Sequence, residues 1–159
     1  MAYSIHTTQE DCYPGTTVLI NKLDLQNQDA LDQAERISVT LRAAELEARA
    51  FIGPFTFQFY CDLHKTLFAD LYDWAGKLRT IDISKKGTRF YPSAELQKYG
   101  EAKFQYLASE NEFRDLPLPL FVGKISEFYH ELNMLHPFRE GNGRTQRLFF
   151  TLLIRRAGY

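Results

Sequence analysis

Apolar residues recur along most of the chain at spacings of three and four, the period of an amphipathic helix. The first stripe, Leu31, Ala34, Ile37, Leu41, Ala44 and Ala48, shares a predicted helix with Asp32, Arg36 and Glu47 on the other face. A turn at Pro14-Gly15 precedes it, and Gly53-Pro54 stops it. Phe59, Leu63, Leu67 and Leu71 then step by four, predicting a second helix that ends near Trp74-Ala75-Gly76. A third is predicted from Ser93, a ready N-cap, to about Leu107. Beyond the loop at Asp115-Leu116-Pro117-Leu118-Pro119, the positions Phe121, Ile125, Phe128, Leu132 and Leu135 define a fourth. The last runs from near Gly143 to Ala157, with Gly158 as its stop signal.

The period changes once. Thr80-Ile81-Asp82-Ile83 alternates in the manner of a strand, Lys86-Gly87 can make a tight turn, and Thr88-Arg89-Phe90-Tyr91 can run back. One isolated hairpin is too small to be a sheet core, so the segment near 80–91 is predicted to lie as a flap over something. No repeat and no low-complexity linker interrupts the chain. The predicted fold class is mainly α, a helical domain with one small β-hairpin flap.

Composition narrows the class further. The chain of 159 residues suits one compact domain, and 45% hydrophobic with 14% aromatic residues argues for a filled core over disorder. A formal net charge of -1 removes the usual electrostatic reason to expect direct nucleic-acid binding. Cys12 and Cys61 have no metal-ligand spacing and read as free thiols in a reducing compartment. The first residues have neither the basic nor the apolar region of a signal peptide, and no apolar run reaches the roughly 20 residues that cross a bilayer. The expectation is a cytoplasmic protein with no membrane partner.

The chemistry concentrates between the last two predicted helices, in His136-Pro137-Phe138-Arg139-Glu140-Gly141-Asn142-Gly143-Arg144-Thr145-Gln146-Arg147. Pro137 breaks the preceding helix and leaves His136 at a helix–loop junction. Gly141, Asn142 and Gly143 all tolerate left-handed backbone, so consecutive N–H groups can point into one concavity at a helix N-terminus, where anions are favoured. Arg144 and Arg147 fall on one face of the first turn. Cations there oppose the helix dipole, which makes sense if an anion of higher charge is the occupant. Beside a polyphosphate, Glu140 is suited to hold a divalent cation, Mg²⁺ in particular. His136 can accept a proton near neutral pH. The apolar helix behind the loop, with Leu148, Phe149, Phe150, Leu152, Leu153 and Ile154, would make the site rigid. A Gly-Asn-Gly turn or a histidine before proline is commonplace alone; the combination is not.

The pattern His-x-Phe-x-(Asp/Glu)-Gly-Asn-Gly-Arg-x-x-Arg resembles the signature of Fic-domain proteins, and every fixed position is met. Leu63-His64 through Phe68, Asp73-Trp74-Ala75-Gly76-Lys77 and Arg79 resemble the family's segment before the flap. Tyr13-Pro14-Gly15 resembles the opening of bacterial toxin-type members. The resemblance implies a Fic fold: an N-terminal helical extension over 1–54, then a core over 55–159 carrying the flap near 80–91 and the catalytic loop 136–147. It implies transfer of AMP from ATP to a Ser, Thr or Tyr hydroxyl of a target protein, with release of pyrophosphate.

By position, His136 would deprotonate the target hydroxyl, and Glu140 would hold Mg²⁺ across the α- and β-phosphates. The backbone of Gly141, Asn142 and Gly143 would form the anion hole, with Asn142 also contacting the α-phosphate. Arg144 and Arg147 would bind the β- and γ-phosphates. Phe138 would be a core anchor. The flap would hold a target segment by strand addition, with Thr88, Arg89 and Phe90 bordering the nucleotide. Gly143 and Arg144 favour AMP over the phosphate-transferring variants, whose loop carries a bulkier, lysine-containing segment there. A phosphotransferase, an AMP-removing variant and a non-catalytic nucleotide-binding module are the alternatives. His64, His130 and His6 read as structural, and Asp73 as a helix-end group.

Many members are inhibited by a helix with (Ser/Thr)-x-x-x-Glu-(Gly/Asn), whose glutamate pairs with the second motif arginine. Near Ser38 and Thr40, Arg42 and Ala44 stand where that glutamate is needed. The resemblance therefore implies a separate antitoxin-like protein, or an inhibitory helix lost by C-terminal truncation, because members usually continue beyond the motif helix. It also implies a bacterial toxin or effector, acting in the bacterial cytoplasm or delivered into a host cell.

Overall fold

The computed structural model describes residues 4–5, 11–49, 51–85 and 87–159. Five α-helices dominate these residues: α1 Gln28–Glu47, α2 Phe57–Phe68, α3 Leu96–Ser109, α4 Leu118–Leu135 and α5 Asn142–Arg156. Short 3-10 turns at Ser93–Glu95 and Asn111–Phe113 flank α3. His6 and Lys86 lie outside the described residues. Among those described, no helix is long and apolar enough to cross a membrane.

Helix starts follow local chemistry. Asn27 accepts the N–H of Ala30 at 3.0 Å to cap α1, and Thr56 accepts that of Phe59 at 3.0 Å to cap α2. Each such cap contributes about 1 kcal/mol. Ser93 is not the side-chain cap expected of it. The third helix opens as a 3-10 turn, and the Ser93 N–H donates instead to Asp82 at 2.7 Å. Helix α2 stops at Phe68, earlier than its apolar steps suggest. The N–H groups of Leu71 and Tyr72 both return to the Phe68 carbonyl, which curls the chain into turns.

Helix α5 lies in the middle of the fold, against α1, α2 and α4. Thr145, Gln146, Leu148, Phe149, Phe150 and Leu153 are all buried, as its near-continuous apolar surface requires. Around Phe149 the rings of Phe55, Tyr60, Phe104, Phe128 and Phe150 meet in edge and tilted contacts. Burying each such ring contributes on the order of 2 kcal/mol, so this cluster fixes α5 in place.

The seam of α1 differs from the predicted stripe. Leu31, Glu35 and Val39 face the core, while Ile37 and Leu41 are 58% and 61% exposed. The buried line departs from the predicted one after Leu31 because a carboxylate, Glu35, has partners inside that an apolar count overlooks.

The hairpin is present but shorter than expected: β2 is Ile83–Lys85 and β3 is Thr88–Arg89, with Ser84 opposite Arg89. A third strand, β1 at Ser4–Ile5, pairs antiparallel with β2 and gives the order β1-β2-β3. The fold is thus mainly helical with one small sheet. Cys12 and Cys61 are free and buried.

Candidate active site

The loop after α4 is built around a left-handed turn. His136 caps α4 with φ 44° and ψ 59°, and its N–H still reaches the Leu132 carbonyl at 3.3 Å. Pro137 forbids a further helical turn. Phe138 then plunges into the core with 0% exposure, stacking on His64 at 3.8 Å between centroids. It anchors the loop as predicted.

Two side chains hold the loop from beneath. Asn142 is 2% exposed; its Oδ1 accepts the Phe138 N–H at 2.8 Å and its Nδ2 donates to the Phe138 carbonyl at 2.7 Å. With the amide turned inward, the part of Asn142 able to meet an anion is its backbone N–H. His64, fully buried, accepts the Gly76 N–H on Nδ1 at 2.8 Å. Its Nε2 therefore carries the proton and donates to the Glu140 carbonyl at 2.9 Å. Burial pushes His64 down to about 4, so it stays neutral in this role.

Gly141 turns the chain into α5 with φ 80°. A side chain there would also put its Cβ 2.4 Å from the Phe68 ring, so both conformation and space require glycine. Gly143 departs from expectation, lying inside the helix without a left-handed backbone. The anion-facing geometry therefore comes from the opening turn of α5, not from a run of left-handed residues. The N–H groups of Asn142 and Gly143 have no carbonyl one turn earlier in the helix, as at any helix start. Gly141 donates its own N–H to Glu140 Oε1 at 2.8 Å.

His136 is buried and held on one ring face and at one edge. Its ring lies parallel to Phe90, with centroids 3.8 Å apart and planes 9° apart. Nδ1 faces the Asn133 carbonyl at 3.0 Å, an oxygen that only an N–H can satisfy. The neutral ring therefore keeps its proton on Nδ1 and presents Nε2 as a base. Burial depresses its pKa to about 4; the Asn133 bond opposes this, and the charges of Lys85 and Arg79 add to it.

The two arginines diverge. Arg144 Nη1 lies 2.6 Å from Glu35 Oε2, and Nη2 lies 3.7 Å from Glu140 Oε1. Its guanidinium also sits 4.7 Å over the Phe68 ring. Arg147 is exposed, and among the described residues it makes no ion pair. Glu35 is in turn bonded by the Tyr72 hydroxyl.

The loop thus gathers His136, Glu140, Gly141, Asn142, Gly143, Arg144 and Arg147 at one helix end. Of the three flap residues predicted for the site, Thr88, Arg89 and Phe90, it is Phe90 that joins them, with its ring on the imidazole. Thr88 and Arg89 are exposed on β3, and neither side chain hydrogen-bonds or ion-pairs with the loop. Glu35 and Tyr72 belong to the site's support but escape sequence reasoning, and Arg79, named there only as part of a family-like segment, is given no role by it. The signal for Glu35 was its place midway between Leu31 and Val39, four residues from each. Among the described residues no three metal-ligating side chains cluster. A cation here would depend on Glu140 and on oxygens brought by a ligand, which is how Mg²⁺ is commonly bound. A base, an N–H cradle and two guanidiniums suit substitution at a phosphorus atom.

The chain is similar to known proteins over most of its length. The model of the Fic/DOC family matches residues 54–154. "Probable protein adenylyltransferase Fic" of Salmonella typhimurium is 40% identical over 149 residues, covering 92% of this chain and 72% of the relative. "Protein adenylyltransferase VbhT" of Bartonella schoenbuchensis is 39% identical over 146 residues, 92% of this chain and 30% of that longer protein. Among solved structures, the BepC protein of Bartonella tribocorum, a VirB-translocated effector with bound AMPPNP, superposes with a TM-score of 0.89. That alignment is 25% identical and covers 96% of this chain and 80% of the other.

Proposed function

The chain belongs to the Fic/DOC family, and on that premise we propose that it is a protein adenylyltransferase. It takes ATP and transfers AMP to a hydroxyl side chain of a target protein. The observation that carries this reading is the setting of His136. Its ring is fixed by Phe90 and Asn133 so that Nε2 is the basic nitrogen, at the mouth of the helix that offers the Asn142 and Gly143 N–H groups.

The chemistry balances without a covalent enzyme intermediate. The target oxygen forms a bond to the α-phosphorus as its proton passes to His136 Nε2. The bond from that phosphorus to the bridging oxygen breaks, and pyrophosphate leaves with the electron pair. The N–H groups of Asn142 and Gly143 stabilise charge on the α-phosphate, while Arg144 and Arg147 bind the β- and γ-phosphates. A positioned base typically contributes about 10²–10⁴-fold. Glu140 would hold Mg²⁺, which when bound neutralises phosphate charge.

The target lies along the flap in this proposal. The β3 edge at Thr88–Arg89 is exposed, whereas β1 already occupies the other edge of β2. A separate inhibitory protein fits the exposed Arg147, which can receive a partner's carboxylate. The translocated Bartonella relative supports delivery into a host cell as one setting for the activity.

Labelled ATP tests the reaction. Incubation of the protein and a lysate with ATP labelled separately at the α- and γ-positions is expected to transfer the α label alone. His136→Ala is expected to abolish labelling while ATP binding survives. Transfer of the γ label, or an unimpaired His136→Ala enzyme, would refute the reading.

A further inference from the structure

Arg79 carries its charge into the interior. Its side chain is 0% exposed, and its ion-pair partner, Asp82, is 3.8 Å away with most of its own side chain in water. Burial lowers the guanidinium to about 10 despite the Asp82 carboxylate. A cation taken out of water costs several kcal/mol unless other groups compensate, and an apolar residue of similar volume would avoid that cost.

The compensation is three main-chain carbonyls in three segments. Nε donates to the His136 carbonyl at 2.9 Å, Nη1 to that of Ile81 at 2.7 Å, and Nη2 to that of Tyr91. The backbone N–H of Arg79 donates to the Pro137 carbonyl at 2.9 Å, and that of Tyr91 to Met134 at 3.1 Å. Ile81 leads into β2, and Tyr91 follows β3. One planar fork therefore ties the entry and the exit of the flap to the left-handed residue that bears the base. Guanidinium has donors in fixed directions, which a lysine ammonium lacks.

We propose that Arg79 is a positioning residue for the base: it locks the backbone of His136 to both stems of the flap. His136 and the Phe90 ring stacked on it are then set as one unit. The proposal rests on the reading of His136 as the base. It couples target docking to catalysis, because a segment pulling on the flap pulls on the turn that aims the imidazole. Misplacing a catalytic group by about 1 Å can cost roughly 10²-fold in rate.

The test compares wild type, Arg79→Lys and Arg79→Met. Both variants are expected to lower kcat for α-label transfer by at least about tenfold, with KM for ATP within about twofold of wild type. Hydrogen exchange is expected to speed up at the Phe90 and Tyr91 amides. Among the described residues, Lys85 of β2 and Arg79 bring positive charge to bear on His136, and Phe90 offers a neutral ring face. Arg79→Met should therefore move the acid limb of the rate profile upward, whereas Arg79→Lys should leave it in place. Rescue of the rate by Arg79→Lys, or unchanged exchange in both variants, would overturn the proposal. If Arg79→Met does not fold, Arg79→Lys decides, together with exchange of the wild-type Arg79 Nε–H, which must be slow. If wild type labels nothing, the adenylyltransferase reading fails, and the exchange data still judge the staple alone.

Discussion

Glu35 Oε2 lies 2.6 Å from Arg144 Nη1, joining the inner face of α1 to the first turn of α5. Tyr72 donates its hydroxyl to the other oxygen of Glu35, so the carboxylate is held from two sides. With 10% and 26% of the two side chains exposed, the pair is largely shielded from water. Breaking such a pair leaves a charge uncompensated. Glu35→Ala is expected to lower stability by about 2 kcal/mol, a fall in Tm of roughly 4–8 °C. It should also loosen Arg144 and slow AMP transfer by about tenfold. Thermal unfolding and α-label transfer check both effects, and a variant matching wild type in each would remove Glu35 from the site.

Gly141 and Gly143 look equivalent in the motif but answer to different constraints. An alanine at 141 must adopt φ near 80° with its Cβ 2.4 Å from the Phe68 ring. An alanine at 143 adopts ordinary helical backbone and meets only the end of Arg147, at 3.4 Å. Gly141→Ala is expected to destabilise by about 2 kcal/mol or more, through strain and overpacking. Gly143→Ala should be neutral or stabilising by up to about 1 kcal/mol, the helix-propensity difference. Urea denaturation of the two variants distinguishes them. Equal losses would show that space at Phe68 does not set the requirement.

How far these features were legible follows from where their partners lie. The loop and the seam of α4 could be read because their determinants are neighbours in sequence: Pro137 after His136, and Phe121, Phe128, Leu132 and Leu135 at helical spacing. The inner face of α1 could not. Glu35 reads as a surface residue until Arg144 and Tyr72 are beside it, and both are distant in sequence. The flap strands read as too long for a similar reason. Ile81 gives its carbonyl to the Arg79 guanidinium, so that carbonyl is not available to a ladder that local alternation would begin at Thr80.

The buried histidines make stability depend on pH. His64 and His136 are each lowered to about 4, against 6.5 for an ordinary histidine. Between those values the unfolded chain binds more protons than the folded one, so stability rises with pH. The full contribution is present above about 6.5, is lost as pH falls towards 4, and changes no further below that. The loss for both groups together is on the order of a few kcal/mol. Denaturation at pH 7 and pH 4.5 should show it, and His64→Gln should flatten the slope by removing one of the two groups. An unchanged slope in that variant would mean that His64 protonates freely in the folded state.

Arg147 supplies the contrast to Arg144. Its side chain is exposed and makes no ion pair among the described residues, whereas Arg144 is bound to Glu35 and lies over Phe68. A guanidinium near the start of a helix gains nothing from the dipole, and among the described residues no carboxylate pairs with it. Arg147→Ala should therefore leave Tm within about 1–2 °C of wild type or raise it slightly. Its contribution appears only with a polyanion bound, where a charge-assisted pair contributes roughly 1.5–3 kcal/mol. ATP affinity should fall by about 10- to 100-fold, and the affinity for AMP, which lacks the distal phosphates, should change little. Calorimetric titration with the two nucleotides separates these outcomes. Equal losses for ATP and AMP would place Arg147 at the α-phosphate, and an unchanged ATP affinity would free it from the triphosphate altogether.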